Sequence, residues 1–181
     1  FHIISWVRPD GTFAARKLEA WSNQGAYASH GHSIMAKGTN AFPQLYPCDS
    51  LECDGYTVFT NRPVAGAMRG YGIPQAMFAG EAHLDDVCRA IGADPVEFRR
   101  KRVMPVGFRD AFSQNELYAD TFNQVMDRGM EAIGWAEKRK AYASQTGPVR
   151  RGVGMALFWY NTAVWPISLE SSSCRMVLNQ D

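Results

Sequence analysis

The segment 62–75, with the sequence RPVAGAMRGYGIPQ, constrains the fold of this chain more than any other stretch. Three glycines lie within seven residues there, so the backbone can adopt positive φ angles and approach a ligand closely. Pro74 and an apolar helical pattern follow, which predicts that the turn leads directly into a helix. Amides at a helix N-terminus, together with the side chain of Arg69, favour an anionic or oxo ligand.

The residues of this turn leave two interpretations open. One is a cradle for a ligand, and the other is a glycine-rich connection between a strand and a helix. The spacing of Gly66, Gly70 and Gly72 does not match a dinucleotide-binding fingerprint, and no clear βαβ unit surrounds it. Phosphate-loop and kinase motifs are also absent from the sequence.

The composition narrows the classes of partner. The chain has 181 residues, of which 46% are hydrophobic and 20% charged, and its formal net charge is +1. These values predict a globular protein without nucleic-acid partners, and no apolar run is long enough to span a membrane. The four cysteines match no metal-binding spacing, which predicts buried free thiols and a cytoplasmic location.

The order of sequence patterns predicts an α+β fold, with antiparallel strands and a helical middle section. We expect one unit over 1–181, with strands in 1–66, helices in 73–145 and strands in 149–181. The chain lacks an initiator methionine and begins inside a strand pattern, which we interpret as a fragment of a longer polypeptide.

Several local signals define the predicted element boundaries. Asp10-Gly11 favours a tight hairpin, and Phe42-Pro43-Gln44 is expected to end a short helix that begins near Ser33. Gly92 suits a left-handed helix C-terminus. Asp94 is expected to cap the next helix, whose basic run 99–102 is predicted to be a solvated helix end.

Other chemistry-bearing residues have structural explanations. His30 and His32 lie close together, but no third ligand of fitting spacing appears, so a structural role is favoured. The serine run before Cys174 lacks the frame of a nucleophile elbow. The aromatic stretch 158–165 predicts either a core strand or the wall of an apolar pocket.

Segments distributed over nearly the whole chain resemble the molybdenum-cofactor subunit of xanthine dehydrogenases and aldehyde oxidases. They occur in the order of that family and comprise SNQGAY at 22–27, SIM at 33–35, AMRGYGIPQ at 67–75, MFAGE at 77–81, DPVEFR at 94–99 and RGVG at 151–154. The resemblance implies part of a molybdopterin-binding domain.

The resemblance also implies roles for individual residues. Met68, Arg69 and Gly70 correspond to the segment that contacts the molybdenum cofactor, with the backbone of Arg69 near the metal. Tyr71 corresponds to an aromatic residue that stacks on a flat substrate ring. Lys37 stands where xanthine enzymes have a substrate-contacting arginine, and Val164 stands where a second stacking aromatic is found. Lysine keeps the positive charge but loses the planar fork of arginine.

The family reaction hydroxylates a carbon with oxygen from water, and a glutamate acts as the base. No catalytic residue of the family has a counterpart in this sequence, so the fragment alone is expected to be inactive. The resemblance implies iron–sulfur clusters and possibly FAD on partner domains or subunits, and a homo-oligomeric parent. A heteroaromatic, purine-like substrate is favoured by Tyr71. An aldehyde-oxidising relative and a non-catalytic binding or assembly module are the alternatives.

Overall fold

The computed structural model describes residues 1–111, 114, 116–160 and 172–179. Within them, a small sheet is covered by helices, which confirms the α+β class. The elements in chain order are β1 (His2–Val7), β2 (Phe13–Gly25), α1 (Gly31–Leu45), β3 (Ser50–Phe59), α2 (Ile73–Ile91), α3 (Pro95–Arg102), α4 (Thr121–Ile133) and α5 (Trp135–Tyr142).

Strands β1 and β2 form the antiparallel hairpin that the Asp10-Gly11 pair predicts. Gly11 has a φ of 81°, and the amide of Arg8 donates to the carbonyl of Thr12 at 2.9 Å. A carboxylate oxygen of Asp10 accepts from the Thr12 amide at 2.9 Å and from its hydroxyl at 2.7 Å. The turn is therefore closed by both backbone and side-chain hydrogen bonds.

The sheet is mixed, because β3 runs parallel to β2 along its other edge. The expectation of purely antiparallel strands was wrong at this point. The chain leaves β2, passes through α1 and returns as β3, and such a helical crossover brings the second strand back in the same direction. Helix α1 lies against both strands and against α2.

Helix α1 is longer than the sequence predicts. Phe42-Pro43-Gln44 does not end it, since the helix continues to Leu45 with Pro43 inside. Proline cannot donate to the carbonyl four residues earlier, which belongs to Thr39. The thiol of Cys53 on β3 lies 4.0 Å from that carbonyl and donates to it. A neighbouring strand thus compensates in part for the missing helical hydrogen bond.

The core lies between the sheet and the helices, with α2 at its centre. Leu84, Val87 and Cys88 are buried as the helical spacing predicts, and Gly92 ends α2 with a φ of 68°. Ile91, predicted on the same buried face, is instead 47% exposed. It is the last residue of α2, so the core does not extend past it.

The predicted strands within 149–181 are not present among the residues that the structure describes. Residues 149–160 and 172–179 form no regular element. Exposure still alternates along 153–159, with Leu157 buried and Phe158 exposed, which is the pattern of a strand. A strand also needs a neighbouring ladder, whereas the amide of Leu157 donates to a carboxylate of α2.

Candidate functional site

The turn before α2 has an unusual backbone. Gly70, Tyr71 and Gly72 all have positive φ angles, of 101°, 51° and 89°. A left-handed conformation costs a non-glycine residue about 1 kcal/mol, so Tyr71 is held there by its surroundings. The amide of Tyr71 donates to the Met68 carbonyl at 2.8 Å, and the amide of Ile73 donates to the Gly70 carbonyl at 3.0 Å.

The glycines of this turn allow close contact with α1. A Cβ atom added to Gly72 would lie 2.4 Å from the carbonyl oxygen of Ile34, and one added to Gly38 would lie 2.9 Å from the carbonyl oxygen of Gly72. Both separations are shorter than van der Waals contact, so neither position tolerates a side chain. The first half of α1 and the turn therefore touch backbone to backbone.

Lys37, the predicted substrate-binding lysine, also lies on α1. It follows Ile34 by three residues, and side chains at that spacing share one face of a helix. Lys37 is half-buried. Lys37 lies on α1 and Tyr71 lies in the turn that touches this helix, and their role in substrate binding stays a prediction. The third predicted substrate residue, Val164, lies outside the described residues.

Within the part of the chain that the structure describes, the polar partner of the Tyr71 side chain is His30. The Tyr71 hydroxyl lies 3.0 Å from Nδ1 of His30, and the two rings meet edge to face with centroids 6.0 Å apart. His30 is the N-cap residue of α1, yet its side chain makes no capping hydrogen bond. Sequence reasoning assigned no function to His30, because 41 residues separate it from Tyr71.

The predicted cofactor residues Met68 and Arg69 are exposed, and Met68 is 78% exposed. Among the described residues, the amides of 67–70 donate to no carbonyl or side chain, and Arg69 makes no ion pair. A run of available amides and one guanidinium directly precedes the N-terminus of α2. This donor set fits an anionic, oxygen-rich group such as a molybdopterin.

A cavity of about 240 Å³ adjoins the turn and is lined in part by Trp21, Ile34, Gly72 and Gln75. Neither Tyr71 nor Lys37 lines it. The described residues contain no group of three or more His, Cys, Asp or Glu side chains that could hold a metal ion. None of the helices within them is long and apolar enough to cross a membrane.

A buried ion pair supports α2 behind the turn. Nε of Arg99 donates to Oε2 of Glu81 at 2.9 Å, and the side chain of Arg99 is only 1% exposed. Arg99 also meets Asp85 at 2.8 Å. The prediction that the whole basic run 99–102 is a solvated helix end was therefore wrong for its first residue.

The same carboxylate of Glu81 accepts two further hydrogen bonds. The hydroxyl of Tyr46 donates at 2.6 Å, and the amide of Leu157 donates at 2.8 Å. Burial, reinforced by the Glu81 carboxylate, raises the pKa of Tyr46 far above its usual value, so it remains a donor. Glu81 falls on the apolar stripe of α2 with Leu84 and Cys88, and this signal could have revealed the network.

Arg16 is a second buried arginine, on β2. Its guanidinium lies 4.1 Å from the centre of the Phe42 ring and 5.0 Å from that of Phe13, and Nη1 donates to the Tyr46 carbonyl at 3.0 Å. Its Nε has no hydrogen-bond partner among the described residues. Burial lowers the pKa of Arg16 to about 10.

The comparisons with known proteins identify the family of the chain. Residues 6–103, more than half of the chain, match the family model described as the molybdopterin cofactor-binding domain. The chain is a member of that family, and the match includes the turn, α1 and the Glu81–Arg99 pair.

Individual relatives extend the similarity. The chain is 40% identical to the xanthine dehydrogenase molybdenum-binding subunit of Escherichia coli O157:H7, over 97% of this chain and 23% of the relative. It is 29% identical to the nicotinate dehydrogenase large molybdopterin subunit of Eubacterium barkeri, over 76% and 33% respectively. The structure resembles the aldehyde oxidoreductase of Desulfovibrio gigas with a TM-score of 0.68 and 27% identity, over 80% of this chain and 16% of that one. The chain thus spans a third or less of these relatives.

Proposed function

We propose that this chain is part of a molybdenum hydroxylase that oxidises a heteroaromatic, purine-like substrate. The observation that carries the proposal is the turn at 70–72, which presents an aromatic side chain between two glycines at the start of α2. The turn lies within the segment that matches the molybdopterin-binding family. The names of two relatives, a xanthine and a nicotinate dehydrogenase, refer to heteroaromatic compounds.

The cofactor-binding role falls on Met68, Arg69 and Gly70. Their amides and the guanidinium of Arg69 would hold the cofactor through hydrogen bonds and charge. When bound, the molybdenum centre supplies the oxygen that enters the substrate and accepts the electrons that leave it. The chain itself contributes binding and orientation, since its residues provide one wall of the site.

Tyr71 and Lys37 are the proposed substrate-binding residues. An aromatic ring stacks on a flat heterocycle, and the ammonium of Lys37, which is a half-buried residue, attracts its electron-rich edge. Val164 is proposed beside them from the resemblance alone. The base glutamate, the iron–sulfur clusters and possibly FAD are proposed to come from other parts of a homo-oligomeric, cytoplasmic parent, so this segment alone is inactive.

An aldehyde-oxidising function is the second candidate, because the structure resembles an aldehyde oxidoreductase. Both functions require molybdenum, so they differ in substrate. A non-catalytic binding or assembly module is the third candidate, and it would need neither metal nor turnover. Lys37 and Val164 motivate this third reading, since both depart from the xanthine-enzyme pattern.

The test uses the full-length protein, with molybdenum measured by elemental analysis and turnover measured with hypoxanthine and benzaldehyde. We expect near-stoichiometric metal and hydroxylation of hypoxanthine. Tyr71→Ala should raise KM for hypoxanthine about tenfold, since it removes a stacking and apolar contact of about 1.4 kcal/mol. Tyr118→Ala, at a tyrosine that is 81% exposed, is the matched control.

Each alternative has its own outcome. Turnover of benzaldehyde together with no turnover of hypoxanthine would establish the aldehyde function. Protein that contains no molybdenum, under conditions that load a related enzyme, would refute both hydroxylase functions in favour of the non-catalytic module. An unchanged KM in Tyr71→Ala would refute the stacking role.

A further inference from the structure

We propose that His30 is a positioning residue that holds the ring of Tyr71 in the orientation that substrate binding requires. This inference rests on the proposed function, because it assigns Tyr71 to the substrate site. The hydroxyl of Tyr71 lies 3.0 Å from Nδ1 of His30, across 41 residues of sequence. His30 itself need not touch the substrate.

A series of backbone contacts also links His30 to Tyr71, independently of the hydrogen bond between their side chains. The carbonyl of His30 accepts from the amide of Ile34 at 2.9 Å in the first turn of α1. The backbone of Ile34 in turn lies against Gly72, which follows Tyr71 directly. The path from His30 through Ile34 and Gly72 to Tyr71 is therefore closed by the side-chain hydrogen bond. A closed path fixes the tyrosine ring more firmly than the backbone alone.

The backbone of Tyr71 explains why such an anchor has a use. With a φ of 51°, Tyr71 occupies a backbone conformation that residues other than glycine rarely adopt. Its ring is only partly buried, so core packing does not enclose it. The imidazole supplies the missing restraint in two ways, through its nitrogen and through its edge-to-face contact with the ring.

The hydrogen bond also determines which group the tyrosine presents. In the tautomer that leaves Nδ1 of His30 unprotonated, the hydroxyl of Tyr71 donates to it and keeps oxygen lone pairs that can accept from a ring N–H of a substrate. Heterocycles such as purines carry such N–H groups, whereas benzaldehyde has none. The pair therefore favours polar heterocycles in a way that phenylalanine at position 71 could not.

The test compares His30→Ala with His32→Ala in the full-length holoenzyme. His32 is an exposed histidine two residues away whose ring lies 3.3 Å from the Ser33 hydroxyl, so it is a matched control. Loss of one hydrogen bond should raise KM for hypoxanthine about fivefold and leave kcat within about twofold. His32→Ala should behave as wild type. Calorimetry of hypoxanthine binding to the metal-free protein gives an independent readout, with the same fivefold loss expected.

A double-mutant cycle isolates the pair. Once Tyr71→Phe has removed the hydroxyl, His30→Ala should have little further effect on KM or binding. His30→Gln, which keeps a hydrogen-bonding group, should retain part of the affinity that His30→Ala loses. A purely structural role of His30 would instead lower stability and kcat in both backgrounds.

The outcomes separate this inference from the function on which it rests. If Tyr71→Ala weakens hypoxanthine binding while His30→Ala equals His32→Ala, the positioning role is refuted and the proposed function stands. If Tyr71→Ala has no effect either, the substrate role of Tyr71 fails first. Additive effects of His30→Ala and Tyr71→Phe would likewise overturn the coupling.

Discussion

Glu81→Gln tests whether the buried network behind the turn stabilises the domain. Glu81 is 6% exposed, and its carboxylate accepts from Tyr46, Arg99 and Leu157 at 2.6–2.9 Å. Glutamine has nearly the same volume, so the substitution leaves no cavity. It removes the charge that Arg99 faces and replaces one accepting oxygen with an NH₂ group that must oppose a donor.

The magnitude follows from these contacts. Breaking one side of a buried, hydrogen-bonded ion pair costs about 3–5 kcal/mol, because the remaining charge stays buried without its partner. Asp85 still meets Arg99 at 2.8 Å, which places the expected loss at the lower end, near 3 kcal/mol. With a urea dependence of about 2 kcal/mol per molar, the unfolding midpoint should fall by about 1.5 M.

The measurement is urea unfolding of the chain, followed by tryptophan fluorescence and far-ultraviolet circular dichroism. Glu131→Gln is the matched control, because Glu131 pairs with Arg128 at 3.3 Å but its side chain is 75% exposed. That substitution should leave the midpoint unchanged. A loss below about 1 kcal/mol for Glu81→Gln would refute the reasoning, since it would mean that water reaches the pair.

Two further substitutions test the turn and the acid stability. Gly72→Ala places a Cβ 2.4 Å from the carbonyl oxygen of Ile34, so it should lower the free energy of unfolding, measured by urea titration, by about 2 kcal/mol or more. Gly92→Ala, whose added Cβ has nothing within 4 Å, should lower it by only about 1 kcal/mol. Equal losses would contradict the close contact. Burial and then Arg16 lower the pKa of His83, whose ring contacts the Ser5 hydroxyl at 3.0 Å. The unfolded chain therefore binds the proton more readily, and stability should fall as the pH drops from about 6.5 through the lowered pKa. His83→Gln should flatten this dependence in unfolding measured between pH 5 and 7, and an unchanged slope would exclude His83 as its source.

Local signals predicted much of the element structure. The Asp10-Gly11 hairpin and the Gly92 helix end are confirmed, because each depends on backbone preferences of one or two residues. Asp94 accepts from the amides of Val96 and Glu97, as its position before Pro95 predicts. The error at Pro43 has the opposite origin. Contacts of α1 with the sheet and α2 outweigh the local cost of proline.

The candidate site was predictable only in part. The turn was identified from its glycines, and Met68, Arg69 and Tyr71 were assigned by resemblance. The hydrogen-bond partner of Tyr71 was not predicted, because 41 residues of sequence separate His30 from it. Glu81 and Arg99 were visible as motif residues, yet their pairing joins two helices and leaves no local pattern in the sequence.

The sequence by itself determined the membership in the molybdopterin-binding family, the α+β class and the position of the turn, since motifs and backbone preferences act over a few residues. Only the tertiary structure decided that β3 runs parallel to β2, that Arg99 is buried and that His30 reaches Tyr71. These three features depend on which segments meet after the chain has crossed through α1 and α2. Residues distant in sequence interact only in the folded chain, where burial and hydrogen-bond geometry select the partner.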